Sequence, residues 1–329
     1  MVRANDKVIE WLLEKDNPSV RYLALRDLLG GKEQDDEVSE ARHRIMEVGT
    51  VPRMLAKQHP GGYWGRPEDF YQNSKYKGTV WNLILLAELC ADPEDERVRA
   101  ACEFVLRWSQ ERSTGGFSVT GSSEAGGSKR QVICCLTGNM VFSLLRLGYE
   151  KDPRTRKALD WITTYQRYEI ASKAPKEWPY LYESCWRDHT CRSGAVKTLK
   201  ALAEVPEGGR TEETRERIDE GVEFLLAQHV FKKLPGLREV SRKEWLKLGF
   251  PLMWNTDVLE ILGILARLGR KDARMNEAVE VVLAKQGANG RWKQENRFEG
   301  RLIASIERNG RDSKWVTLNA MRVLSSLSD

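Results

Sequence analysis

Apolar and polar positions along this chain fall into blocks that come in pairs. The first block of a pair carries apolar residues at helical spacing with few charges. A short turn rich in charge, Pro or Gly follows, and the second block is apolar on one face only. Residues 136–149, LTGNMVFSLLRLGY, with 158–166, ALDWITTYQ, show the plan clearly. It recurs as 80–89 with 97–110, as 193–205 with 214–228, and as 258–269 with 274–286. The period of about 3.6 in each block predicts helices, so every pair is a helical hairpin. A helix apolar over most of its surface is buried, whereas a one-sided stripe suits the outside of a layer. The first helices are therefore expected inside and the second outside. Inner helices are expected to begin near Gly78, Leu136, Ser193, Asp257 and Lys314. The last block, 314–327, is a lone helix, and the first, 9–31 with 37–58, diverges from the rest, as the end units of an array do.

The second helices end in a recurring glutamine: Gln58, Gln110, Gln166, Gln228 and Gln286, separated by 52, 56, 62 and 58 residues. A period in the fifties indicates stacked supersecondary units, each burying its face against its neighbours. The reading is all-α, a single domain over residues 1–329. Its five or six hairpins can curl into a closed α/α toroid. An open superhelix of the HEAT type is the competing arrangement, but HEAT units need no loop rich in glycine and aromatics after each glutamine.

Composition narrows the setting. Of 329 residues 41% are hydrophobic and 31% charged, with a net charge of +5. No apolar run reaches the roughly 18 residues of a membrane span, and the N-terminus lacks a signal-peptide core, so a cytoplasmic protein is expected. Cations and anions are interleaved, which gives no nucleic-acid footprint.

Two of the glutamine loops read Q-x3-G-x-W: Gln58 to Trp64 with Gly62, and Gln286 to Trp292 with Gly290. Gln110 to Phe117 is a looser copy. This phrase resembles the Gln–Trp motif of the terpenoid cyclase and protein prenyltransferase α/α-toroid superfamily, the squalene-cyclase-like repeat. The Gln amide can satisfy backbone groups at a helix end with the Trp stacked over it, which makes these residues structural clamps. The resemblance implies an enzyme-like scaffold with a central cavity for an isoprenoid or other apolar substrate. The sequence has neither the D-x-D-D acid motif nor the D-D-x-x-D magnesium motif, so catalysis stays open. Asp257, before an inner helix, is either a buried acid or an N-cap.

Candidate chemistry gathers where the inner helices begin. Lys77, Lys129, Arg130 and Arg192 precede those starts, and helix N-termini with cations can take a diphosphate. Trp64, Tyr182, Trp186 and Trp254 lie in the same loops and can line an apolar cavity. Cys135 and Cys191 open consecutive inner helices, and Cys185 and His189 lie in the loop between. Three thiols and an imidazole form a closed tetrahedral zinc set. Cys134 can substitute for Cys135, and Asp188 for Cys185 as an oxygen ligand or as an acid. Residues 113–128, rich in Gly and Ser, read as a mobile loop or a lid. A non-catalytic, zinc-stabilised toroid that binds a peptide or protein partner is the alternative function.

Overall fold

The computed structural model describes residues 6–71, 75–169, 190–296, 298 and 300–328. They are mostly helical, and the helices pair as the apolar pattern predicts. Contacts gather into two compact units: residues 54–224, and residues 1–53 with 225–329. None of the described helices is long and apolar enough to cross a membrane.

In the 54–224 unit three helices form an inner layer: α5 (Thr79–Glu88), α7 (Cys134–Arg146) and α9 (Arg192–Glu204). Every residue of α5 but Glu88 is buried, and α7 and α9 are nearly as enclosed. Helices α6 (Glu96–Trp108), α8 (Pro153–Tyr165) and α10 (Glu212–Leu226) form the second layer. On α6 Val98, Ala101, Cys102, Phe104, Val105 and Leu106 are buried and the charged positions are left outside, as a one-sided apolar pattern requires. Helix α7 packs on both α5 and α9. Starts fall where the sequence places them: Gly78 caps α5, Asp257 caps α11 (Val258–Arg267), and α13 (Lys314–Ser328) begins at Lys314.

The other unit joins the two ends of the chain. Helices α1 (Asp6–Leu12), α2 (Pro18–Asp27) and α3 (Asp36–Glu47) meet α11, α12 (Asn276–Leu283) and α13. Helix α13 packs against α11 on one side and α2 on the other, and touches α1. Lys314, 8% exposed, pairs with Glu14 at 2.7 Å and with Asp16, and Arg322 pairs with Asp27. These contacts bring the first and last helices of the chain into one unit.

Three sequence expectations change. Residues 9–31, read as one block, split because Asn17 caps a new helix with Pro18 at its first position, where the missing N–H costs nothing. The block at 37–58 likewise breaks between α3 and α4 (Thr50–Leu55) at Gly49, whose φ is 87°. The Gly/Ser segment 113–128 is not a lid. Phe117, Ser118 and Val119 are buried, and β1 (Gly121–Ser122) pairs antiparallel with β2 (Gly126–Gly127). Ser118 N donates to Ser109 O at 2.8 Å and Gly127 N to Gln110 O at 2.8 Å, so the segment is laced to the end of α6.

Candidate functional site

The loops that follow Gln58, Gln110 and Gln286 are clamps that tie helices together. Gln58 Nε2 donates to Arg97 O (2.9 Å) in the first turn of α6, and Gln110 Nε2 to Arg154 O (2.8 Å) in the first turn of α8. Trp64 Nε1 donates back to Met54 O at 2.8 Å, and Trp292 Nε1 to Val282 O at 2.7 Å. The backbone N–H groups of Trp64, Phe117 and Trp292 are accepted by the hydroxyls of Thr79, Thr137 and Thr317 on the next inner helices. The sequence identifies the Gln and Trp of this device but not the threonines. Trp64 is fully buried, so it serves the clamp and does not line an open cavity as the sequence suggests.

A second device repeats at the starts of the second helices. Asp95, Asp152 and Asp272 each accept a hydrogen bond from the backbone N–H two residues on and pair with the side chain of that residue, Arg97, Arg154 or Arg274. The signal is a D-x-R triplet at the start of the second helices, visible in the sequence once the helix starts are known. The Arg partner holds each of these carboxyls below the ordinary Asp range, Asp272 at about 2.

The inner layer of the 54–224 unit carries the thiols. Helices α7 and α9 meet through glycines. A Cβ on Gly138 would lie 2.5 Å from the Lys197 carbonyl oxygen, and one on Gly194 would lie 2.9 Å from Cys134 Cβ and 3.7 Å from Cys191 Sγ. That closeness makes Cys134, Cys135 and Cys191 neighbours. Burial, and after it the Cys191 thiol, pushes Cys135 up to about 12, with Lys197 pulling the other way. Lys197 itself is 1% exposed. Among the described residues no three His, Cys, Asp or Glu side chains are grouped to hold a metal. Cys185 and His189 lie outside the described residues, as do Tyr182, Trp186 and Asp188.

The opposite end of the same layer is charged. Lys200 on α9 pairs with Glu88 on α5, and its Nζ stands 4.3 Å from the centroid of Phe142 on α7. Arg146 of α7 faces Glu204 of α9 at 3.9 Å. A side chain of α9 can meet one of α5 across α7 only if the layer curves, so this face is concave.

The cations expected before the inner helices stand in the expected segments. Lys77, Lys129 and Arg130 are exposed, and Arg192 is half-buried at the start of α9. Asp257 and Trp254 belong to the other unit. Asp257, 1% exposed, accepts from Glu260 N at 2.8 Å and Gly249 N at 3.0 Å, one bond on each oxygen, which is the geometry of an N-cap. Trp254 is half-buried ahead of it. Nearby, a cavity of about 220 Å³ is lined by Phe250, Pro251, Gln294, Asn296, Phe298 and Glu307 among others. Glu307 accepts the N–H groups of Lys314 (2.8 Å) and Trp315 (3.3 Å) and the Ser313 hydroxyl, and burial raises its pKa. It caps α13 from seven residues upstream, a distance at which sequence patterns give no capping signal.

No protein-family model matches the chain, and no curated protein sequence matches it. Among solved structures it is similar to type II terpene cyclase MstE from Scytonema. A variant of that enzyme in complex with geranylgeranyl dihydroxybenzoate is 16% identical over 98% of each chain, with a TM-score of 0.44. Its apo form is 18% identical over 95% of this chain and 88% of that one, with a TM-score of 0.43. Cellobiose 2-epimerase from Bacillus thermoamylovorans B4167 is 14% identical over 75% of this chain and 71% of that one, with a TM-score of 0.46. At such identities none of these likenesses speaks to the chemistry of this chain.

Proposed function

We propose that this chain is a terpenoid-cyclase-like helical-repeat protein that binds an apolar, isoprenoid-type ligand with an anionic head where α5, α7 and α9 begin. In the same reading, Cys135, Cys185, His189 and Cys191 would hold a zinc ion. The observation that carries the reading is the convergence of thiols at the starts of α7 and α9, made possible by Gly138 and Gly194. Thiols forced together in a buried setting disfavour ionisation, and a divalent cation reverses that preference. Cys135 and Cys191 are the half of the donor set that supports the metal reading, and a thiolate-rich set suits zinc. When bound, zinc would stabilise the loop ahead of α9 and, with an open position, could polarise or activate a ligand. Lys77, Lys129, Arg130 and Arg192 would meet the anionic head. The Lys200–Glu88 and Arg146–Glu204 pairs would limit the ligand's depth.

The experiment has two readouts. Elemental analysis of untagged protein is expected to find stoichiometric zinc, reduced in Cys135→Ser and Cys191→Ser and unchanged in Cys102→Ser, whose thiol is buried inside α6. Calorimetry with geranylgeranyl diphosphate is expected to give binding that weakens in Lys129→Ala combined with Arg130→Ala. Zinc without ligand binding would favour the non-catalytic, metal-stabilised module. Absence of both would overturn the proposal.

A further inference from the structure

A groove lies away from the thiols, on the outer layer of the 54–224 unit. It has a volume of about 640 Å³ and runs between α6 and α8. Its floor is apolar, with Phe104 and Leu106 below and Pro60 and Pro153 at the sides. Its rim is cationic on both walls. Arg107 projects from α6, Lys157 from α8, and Arg112 from the loop that follows α6, and all three are exposed.

Charge balance separates this groove from the rest of the surface. The lining holds one carboxylate, Glu103, which is taken by a bidentate contact with Arg154 at 2.8 Å on each arm. Arg154 is shared in turn with Asp152. Arg107, Arg112 and Lys157 have no carboxylate within ion-pair distance among the described residues. Arg112 donates to Ser123 O and Lys157 to Arg112 O, contacts that orient the two side chains without neutralising them. Exposed cations left unpaired beside apolar floor are the complement of a segment that alternates acidic and apolar residues.

We propose that the α6–α8 groove is a docking site for an acidic, extended segment of a partner protein. The charges stand on both walls, which suits a chain laid along the groove, whereas a phosphate would need donors converging on one point. The first turns of α6 and α8 are already occupied by the Asp95 and Asp152 carboxylates, which repel an anion seeking a helix N-terminus. The cationic rim gives orientation and encounter rate, and the apolar floor holds the alternate side chains.

The test is fluorescence anisotropy with a short labelled peptide of alternating Glu and Leu, run against the same peptide with Lys in place of Glu. Binding of the acidic peptide alone is expected, weakening steadily as salt rises. Arg107→Glu with Lys157→Glu should weaken it by about tenfold or more. Arg107→Gln alone should weaken it less. Arg156→Glu, on α8 but outside the groove, should leave it unchanged. Circular dichroism and melting temperature establish that the variants are folded, and the single Arg107→Gln change carries the test if the double variant is not. Equal binding of both peptides, affinity unmoved by the charge reversals, or tighter binding of a single-stranded oligonucleotide than of the acidic peptide would overturn the proposal.

Discussion

Single atoms set the tolerance of the glutamine clamp. A Cβ on Gly62 would fall 2.2 Å from the Ala100 carbonyl oxygen, and the residue sits at φ 84°, so space and backbone both demand glycine. Gly62→Ala should therefore destabilise by about 2–4 kcal/mol, read as a lower urea midpoint at unchanged slope. Gly30, with φ 73° and nothing near its Cβ position, is the control that isolates the backbone cost. The D-x-R caps predict an acid response. Asp95, Asp152 and Asp272 have pKa values lowered by their Arg partners, so the folded state binds fewer protons than the unfolded chain as pH falls. Their contribution is complete above the ordinary Asp pKa and is lost between about pH 4 and pH 2. Asp152→Asn should flatten the rise of stability with pH in that window, as measured by urea midpoints. Glu307, raised by burial, acts in the opposite sense, favouring the fold below its pKa and less above it.

Helices meet in this chain by two kinds of contact. Between α7 and α9 the approach is close because glycines face the neighbouring backbone, and the thiols become neighbours as a consequence. Between the chain ends the contact is ionic as well as apolar: Lys314 to Glu14 and Asp16, and Arg322 to Asp27, with Lys314 and Arg291 both over the Trp11 ring. Lys314 is nearly buried while its partners are largely exposed, so the pair is worth more than a surface bridge and less than a buried one. Lys314→Met, which keeps the stem, should cost about 1 kcal/mol and speed amide exchange in α1 before it does so in α11. Uniform acceleration across the unit would show that these ion pairs do not fasten α1 in particular.

At the scale of the whole molecule, the first and last helices share one unit, since α13 packs against both α1 and α2. A permuted chain with the native ends joined by a flexible linker and new ends opened at Gly208–Gly209 should fold to the same helical content. Nothing lies near the Cβ position of Gly208, and only Val205 lies near that of Gly209. Loss of cooperative unfolding in that permutant would mean that chain continuity at 208–209 is needed for the fold.

The helices and their order were legible in the sequence, because burial on all sides or on one face leaves its own apolar period, and the period does not depend on what the helix packs against. The same holds for the clamp glutamines and for the Asp257 cap, which are local to a helix end. The tertiary structure alone decided the rest. It made Thr79, Thr137 and Thr317 part of the clamp and set Glu307 over α13 from seven residues away. It also turned the Gly/Ser stretch 113–128 from loose loop into seated backbone, brought Cys135 to Cys191, and set Arg107, Arg112 and Lys157 around one groove with no carboxylate within ion-pair distance of them among the described residues. Each of these depends on which atoms of distant segments come within a few ångströms. Spacing along a chain fixes the direction in which a helical side chain points, but only packing fixes what stands opposite it.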